Sequence, residues 1–187
     1  MTEMSNFEEL LAKMCGRKDV AAQEKLYKIY AARVQLACRR YSKDNEEAQD
    51  FTQDAFMRIF DKIGKFRYSG EGSLGRWLVR VTVNMIIDRK RRDKSLGIKS
   101  EIDEAAEDIP QPTEEEAASV PLDVLHKMID SLSNAKKMVF NLRCVDEYSY
   151  KEIAKMIGIS ENAASSTFAK ARIELGMMIK EYVKING

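Results

Sequence analysis

The chain has 187 residues, 44% of them apolar and 33% charged, with 31 Lys and Arg against 30 Asp and Glu. That length allows one medium domain or two small ones, and a formal net charge of +1 leaves any nucleic-acid partner to be argued from local charge alone. Three scattered cysteines (Cys15, Cys38, Cys144) and a single histidine, His126, argue against a four-ligand zinc site and against a disulfide framework; they fit reduced, mostly buried thiols in a cytoplasmic protein.

The first residues, MTEMSNFEELLAKM, are acidic and amphipathic and lack the basic start and apolar run of a signal peptide. No apolar run approaches the roughly 20 residues that cross a bilayer, so a soluble, intracellular protein without membrane insertion is expected. All three prolines fall between 110 and 121, and helical periodicity dominates throughout. The expected fold is all-α.

Ser5 and Glu8 have capping-box spacing, with Phe7, Leu10, Leu11 and Met14 as the apolar stripe of a first helix that Gly16 ends. A helix over about 19–42 follows, capped by Asp19, with Leu26, Ile29, Tyr30, Val34 and Ala37 inward. Asp44 with Glu47 opens a third, to about 63, whose stripe is Phe51, Ala55, Ile59 and Ile63 with Phe56 and Phe60 beside it. A glycine-rich loop, 64–73, leads to a fourth helix over 74–94, with Ser73 as its cap and an apolar start at Leu74, Trp77, Leu78 and Val81. Residues 95–120 are acidic, hold Pro110 and Pro112, and read as an exposed linker with room for some turns of helix. Pro121 starts a helix to about 131, and Ser133 caps the next, to about 145. Ser149 and Glu152 form a capping box for a short helix over 150–157, and a last helix runs over about 161–184.

Two constellations carry function. SYKEIAKMIGISENAASSTFAKARIEL fits a helix-turn-helix, with Gly158 in a left-handed turn, Ile159 between the helices and Ser160 as cap. Ala164, Phe168, Ala171 and Leu175 face inward, which leaves Asn162, Ser165, Ser166, Thr167, Lys170 and Arg172 to meet DNA in the major groove. The second lies upstream: Arg76, Arg80, Arg89, Lys90, Arg91, Arg92 and Lys94 follow Phe66 and Tyr68 and flank Trp77. Positive charge tracks phosphates, and exposed aromatic rings stack single-stranded bases. Read without that role, these are a solvated helix end and a core tryptophan. The carboxylates at Asp50 and Asp54 share a helix face, but the lone His126 cannot complete a bundle metal site. Neither a phosphate-cradling loop nor a serine elbow occurs, so no catalytic group, metal or cofactor is expected.

The blocks LYKIYAARVQLACRRY, EEAQDFTQDAFMRIFDKIGKF and GRWLVRVTVNMIIDRKRR, followed by LSNAKKMVFNLRCVDEYSYKEIAKMIGISENAASSTFAKARIEL, resemble the two conserved domains of extracytoplasmic-function (ECF) sigma factors of bacterial RNA polymerase, in the same order. The resemblance implies an N-terminal four-helix domain over 1–94, a linker over 95–120 that threads the RNA exit path, and a C-terminal helix-turn-helix domain over 121–187. It implies that Asp50, Gln53 and Asp54 dock on core RNA polymerase. Phe66, Trp77, Arg80, Asn84, Asp88, Arg89 and Arg92 would face the −10 promoter region, as duplex and as melted single strand, and the last helix would read the −35 region. It further implies an anti-sigma protein as a partner and no enzymatic activity. The chain departs from the family at Ala163–Thr167, where no arginine stands to pair with guanine, and at Leu74-Gly75-Arg76 before Trp77. A linker of about 25 residues reaches roughly 80–90 Å when extended, against roughly 35–70 Å between boxes one to two helical turns apart. The rival readings are a stand-alone helix-turn-helix regulator and a helical protein-binding scaffold.

Overall fold

A computed structural model describes residues 3–93 and 111–186, with side chains from Phe7 onward. Among the described residues every regular element is helical: α1 (Glu3–Gly16), α2 (Val20–Tyr41), α3 (Asn45–Lys62), a 3-10 turn (Ile63–Lys65), α4 (Ser73–Arg92), α5 (Glu114–Ser119), α6 (Leu122–Ser131), α7 (Asn134–Cys144), α8 (Tyr150–Ile157) and α9 (Glu161–Asn186). They divide into two compact units, Met1–Arg89 and Lys90–Gly187. No described helix is long and apolar enough to cross a membrane.

In the first unit, the two central helices start where local chemistry says they should. Asp19 accepts the Ala22 amide at 2.8 Å, and Asp44 accepts the Glu47 amide at 2.8 Å, each satisfying a donor that has no partner inside its own helix. α2 then packs along α3, and α1 packs on both and on the 3-10 turn. The stripe Phe51, Ala55, Ile59 and Ile63 is fully buried, as are Leu26, Val34, Ala37 and Cys38 of α2 and Leu74 and Leu78 of α4. Each large side chain removed from water in this way contributes about 1.5–3 kcal/mol.

Three expectations for α1 and α2 are corrected. α1 is already helical at Glu3, so Ser5 lies inside it rather than capping it. Its buried face is Leu11, Ala12 and Cys15, while Leu10 is 54% exposed; α2 and the 3-10 turn meet α1 one position round from the expected stripe. Ile29 is likewise exposed, because the buried positions of α2 run through Leu26, Val34, Ala37 and Cys38 instead.

In the second unit, α7, α8 and α9 pack on one another, with α6 and α5 against α9. Val139, Leu142, Ile153 and Ala164 are fully buried, and Leu132, Ala171 and Leu175 gather Met128, Ile129, Phe140 and Met178 around them. Ser149 and Glu152 form the expected capping box at the start of α8. Ser133 stands at the cap position of α7 but makes no capping bond through its side chain. The acidic stretch carries α5 at its end, with a Thr113–Glu116 capping box. The chain before α5 lies against α9 so closely that a Cβ on Gly176 would sit 2.9 Å from Pro112 Cδ. Residues 95–110 of the expected linker, and Lys94 of the basic cluster, lie outside the described residues.

Of the three thiols, Cys15 and Cys38 are buried and Cys144 is exposed. Burial pushes the Cys15 and Cys38 thiols up to about 11. At pH 8 the folded protein is therefore expected to present one thiol, Cys144, to a chromogenic disulfide reagent, and all 3 in denaturant. Rapid reaction of every thiol in the folded state would mean that the α1–α2 packing opens readily in solution.

Candidate nucleic-acid interface

Burial of the Phe51–Ile63 stripe turns the opposite side of α3 to solvent. Asp50 and Gln53 are exposed there. Asp54 sits at the edge nearer α4, where its Oδ2 lies 2.6 Å from Arg89 Nη1. The same guanidinium rests 5.2 Å from the centre of the Phe51 ring. Two residues expected to serve different partners are thus paired with each other. Side chains that are 34% and 46% exposed hold such a pair by no more than about 1 kcal/mol, so a competing charge can separate them.

The loop before α4 turns at Gly70 and Gly72, whose φ angles of 114° and 74° suit residues without a Cβ. Phe66 is only 8% exposed, and its ring meets Trp77 edge-on at 5.7 Å. Phe66 is therefore a core residue in this state rather than an open stacking platform, and Trp77 is half-buried beside it. Further along α4, Arg80 and Arg92 are exposed, while Asn84, Asp88 and Arg89 are half-buried. Next to the loop, Glu9 and Lys13 of α1 and Arg17 in the turn after it, with Phe66, Arg67 and Tyr68, line a cleft of about 540 Å³. Sequence reasoning missed these two cations, Lys13 and Arg17, because nothing in their spacing links them to a loop some fifty residues away.

Ser73 was expected to cap α4. It is instead the first residue of the helix, and its Oγ accepts the Ser69 amide at 3.3 Å, closing the loop on itself. The Leu74 amide finds its acceptor on α1, where Glu8 Oε2 lies 3.2 Å away.

In the second unit, α8 ends at Gly158, which adopts the left-handed conformation at φ 80° and ψ 39°. The Gly158 and Ile159 amides both return to the Ala154 carbonyl, at 2.9 and 3.1 Å. Ser160 Oγ then accepts the Ala163 amide at 3.1 Å and starts α9. At about 100° per residue, buried Ala164, Ala171 and Leu175 define one side of α9. Asn162, Ser165, Ser166, Lys170 and Arg172 fall on the other, with Asn162, Ser165 and Arg172 exposed. Thr167 sits at the margin and is half-buried. Phe168 lies between Phe140 and Tyr150, at 6.1 and 5.9 Å between ring centres. Among the described residues no three His, Cys, Asp or Glu side chains gather as a metal site would need.

Residues 26–96 match the Sigma-70 region 2 family, and residues 122–175 match Sigma-70, region 4. The ECF RNA polymerase sigma factor SigM of Mycobacterium tuberculosis is 28% identical over 178 residues, covering 95% of this chain and 86% of that protein. The RNA polymerase sigma factor YlaC of Bacillus subtilis is 28% identical over 159 residues, covering 81% and 88%. The chain belongs to the ECF sigma factors. Its fold is also that of the sigma factor RpoE solved in complex with the anti-sigma factor NepR from Bartonella quintana, with a TM-score of 0.52 at 20% identity over 84% of this chain and 96% of that one. As a sigma factor, the protein binds RNA polymerase, directs promoter recognition and catalyses no reaction of its own.

The Asp54–Arg89 pair of this sigma factor can be measured. A double-mutant cycle with Asp54→Asn and Arg89→Gln, read by chemical denaturation, is expected to give a coupling of about 0.2–1 kcal/mol at low ionic strength that shrinks with salt. A coupling of zero at low salt would mean that the pair does not persist in solution.

Proposed function

We propose that the two units divide the work of promoter recognition between three surfaces. The exposed side of α3, with Asp50, Gln53 and Asp54, docks on basic groups of core RNA polymerase. The loop and α4, through Trp77, Arg80, Asn84, Asp88, Arg89 and Arg92, engage the −10 region and hold it open, with the buried Phe66 ring bracing Trp77 from behind. The start of α9, through Asn162, Ser165, Ser166, Thr167, Lys170 and Arg172, enters the major groove at the −35 region. Residues 1–94 form the first functional domain and 121–187 the second, joined by the acidic 95–120.

The observation that carries this reading is the pairing, inside one small unit, of an exposed acidic helix face with a neighbouring helix that bears cations beside an aromatic pair. A stand-alone DNA regulator has no use for the acidic face. An anti-sigma protein is a further partner, supported by the complex in which the Bartonella quintana relative was solved. The site of action is the cytoplasm, where polymerase and promoters meet.

Run-off transcription on sheared genomic DNA tests the whole reading: new, discrete 5′ ends should appear only when the protein is added to core polymerase. Duplex binding without new starts would favour the stand-alone regulator. Gln53→Ala with Asp54→Ala is expected to weaken co-purification with core polymerase about tenfold, or about 1.4 kcal/mol, at unchanged helicity by circular dichroism. Unchanged co-purification would remove the docking assignment. Lys170→Ala with Arg172→Ala should lower promoter affinity and reduce the slope of log affinity against log salt by about 1–2. An unaltered slope would take the last helix off the phosphates.

A further inference from the structure

The first amides of any helix have no partner within it. In α4 the local candidate, Ser73, is engaged by Ser69, and the Leu74 amide is held by the Glu8 carboxylate from α1, 66 residues away in sequence. The other carboxylate oxygen accepts the Tyr30 hydroxyl of α2 at 3.2 Å. Gly75 lets α2 come this near: a Cβ there would stand 2.6 Å from Arg33 Nη1 and 3.3 Å from the Tyr30 ring. Burial and then the Glu8 charge raise the Tyr30 hydroxyl to about 12, so it remains a donor across the working range. A carboxylate at a helix start is also favoured by the helix dipole. Three helices therefore meet at one carboxylate, at the Leu74 amide between Phe66 and Trp77 in sequence and at the start of the helix that carries the basic residues.

We infer that Glu8 is a positioning residue for promoter opening, fixing the first turn of α4 and its preceding loop against α1 and α2, and that α1 is thereby part of the DNA-opening apparatus. α1 lies wholly outside the 26–96 stretch that matches the sigma family, so the inference concerns a segment to which the family match assigns nothing. It rests on the role given above to residues 66–92. A site that must capture DNA bases tolerates only about half an ångström of displacement in its supports. Losing one anchor of α4 should therefore slow opening without disturbing the polymerase-docking side of α3.

The test uses full-length Glu8→Ala and Glu8→Gln. In the free protein, hydrogen exchange at the Leu74 amide should quicken at least tenfold in Glu8→Ala while Leu78 is unchanged. In the holoenzyme, on a promoter found by run-off transcription and carrying a fluorescent base in its −10 region, Glu8→Ala should open at least fivefold more slowly, with core polymerase affinity within twofold of the original. Glu8→Gln should open within twofold of the original, because its carbonyl can accept the Leu74 amide and its amino group can donate to Tyr30. Opening of Glu8→Ala at the original rate would overturn the inference. So would loss of polymerase affinity in the same proportion as opening, which would mark Glu8 as general support, or equal slowing by both variants. If the unaltered protein docks on polymerase but opens nothing, the role given to residues 66–92 falls and this inference falls with it. Unchanged Leu74 exchange in Glu8→Ala overturns the Glu8 assignment alone.

Discussion

A helix that buries one stripe must show water the opposite one, and the molecule is organised by that constraint. Phe51, Ala55, Ile59 and Ile63 take α3 into the core of the first unit, and Asp50 and Gln53 are among the polar residues left outside. Ala164, Ala171 and Leu175 do the same for α9, leaving Asn162, Ser165 and Arg172 exposed. Neither surface needs a loop or a cofactor to define it. Each is the complement of a packed seam, so its position is as rigid as the seam itself.

Those seams explain how much was legible beforehand. Caps that close within three or four residues were read correctly: Asp19, Asp44, Ser149 with Glu152, and Gly158. They depend only on neighbours in sequence. The stripe of α3 was read correctly because its buried positions are strongly apolar. Ser73 and Ser133 are the local exceptions: Ser73 opens α4 from within and is taken by the Ser69 amide, and Ser133 makes no capping bond. The other errors fall where a partner elsewhere in the fold decides the outcome. Glu8 has the spacing of a local capping box with Ser5 yet serves α4 and α2. Ile29 has the right period for the core of α2, but the face that α1 and α3 cover passes beside it. Phe66 carries an aromatic signal suited to base stacking, and packing against Trp77 withdraws it. Sequence spacing reports which residues share a face; it does not report which face another helix will cover.

The Asp54–Arg89 pair bears on how the two binding roles proposed for these residues could share one small region without interfering in the free protein. Left alone, Arg89 would add to the positive stripe of α4 and Asp54 to the acidic side of α3. Paired at 2.6 Å, each quiets the other. Because the pair is half in water, its separation costs little, and either charge can be recruited when a stronger partner arrives. The stacking of Arg89 near Phe51 keeps the guanidinium close to the α3–α4 seam through such an exchange.

The exposed thiol of Cys144 has a use that packing alone does not suggest. It closes α7, and while partial burial raises its pKa, Arg143 and Arg172 are near enough to act against that rise. Arg172 belongs to the side of α9 that is turned to solvent. The other two thiols are sealed in the first unit. The unaltered chain thus comes with a single natural attachment point for a fluorophore, on the helix-turn-helix unit and within electrostatic range of its outward face. Under the role proposed for α9, a dye placed there would act as a built-in reporter of nucleic acid arriving at that face.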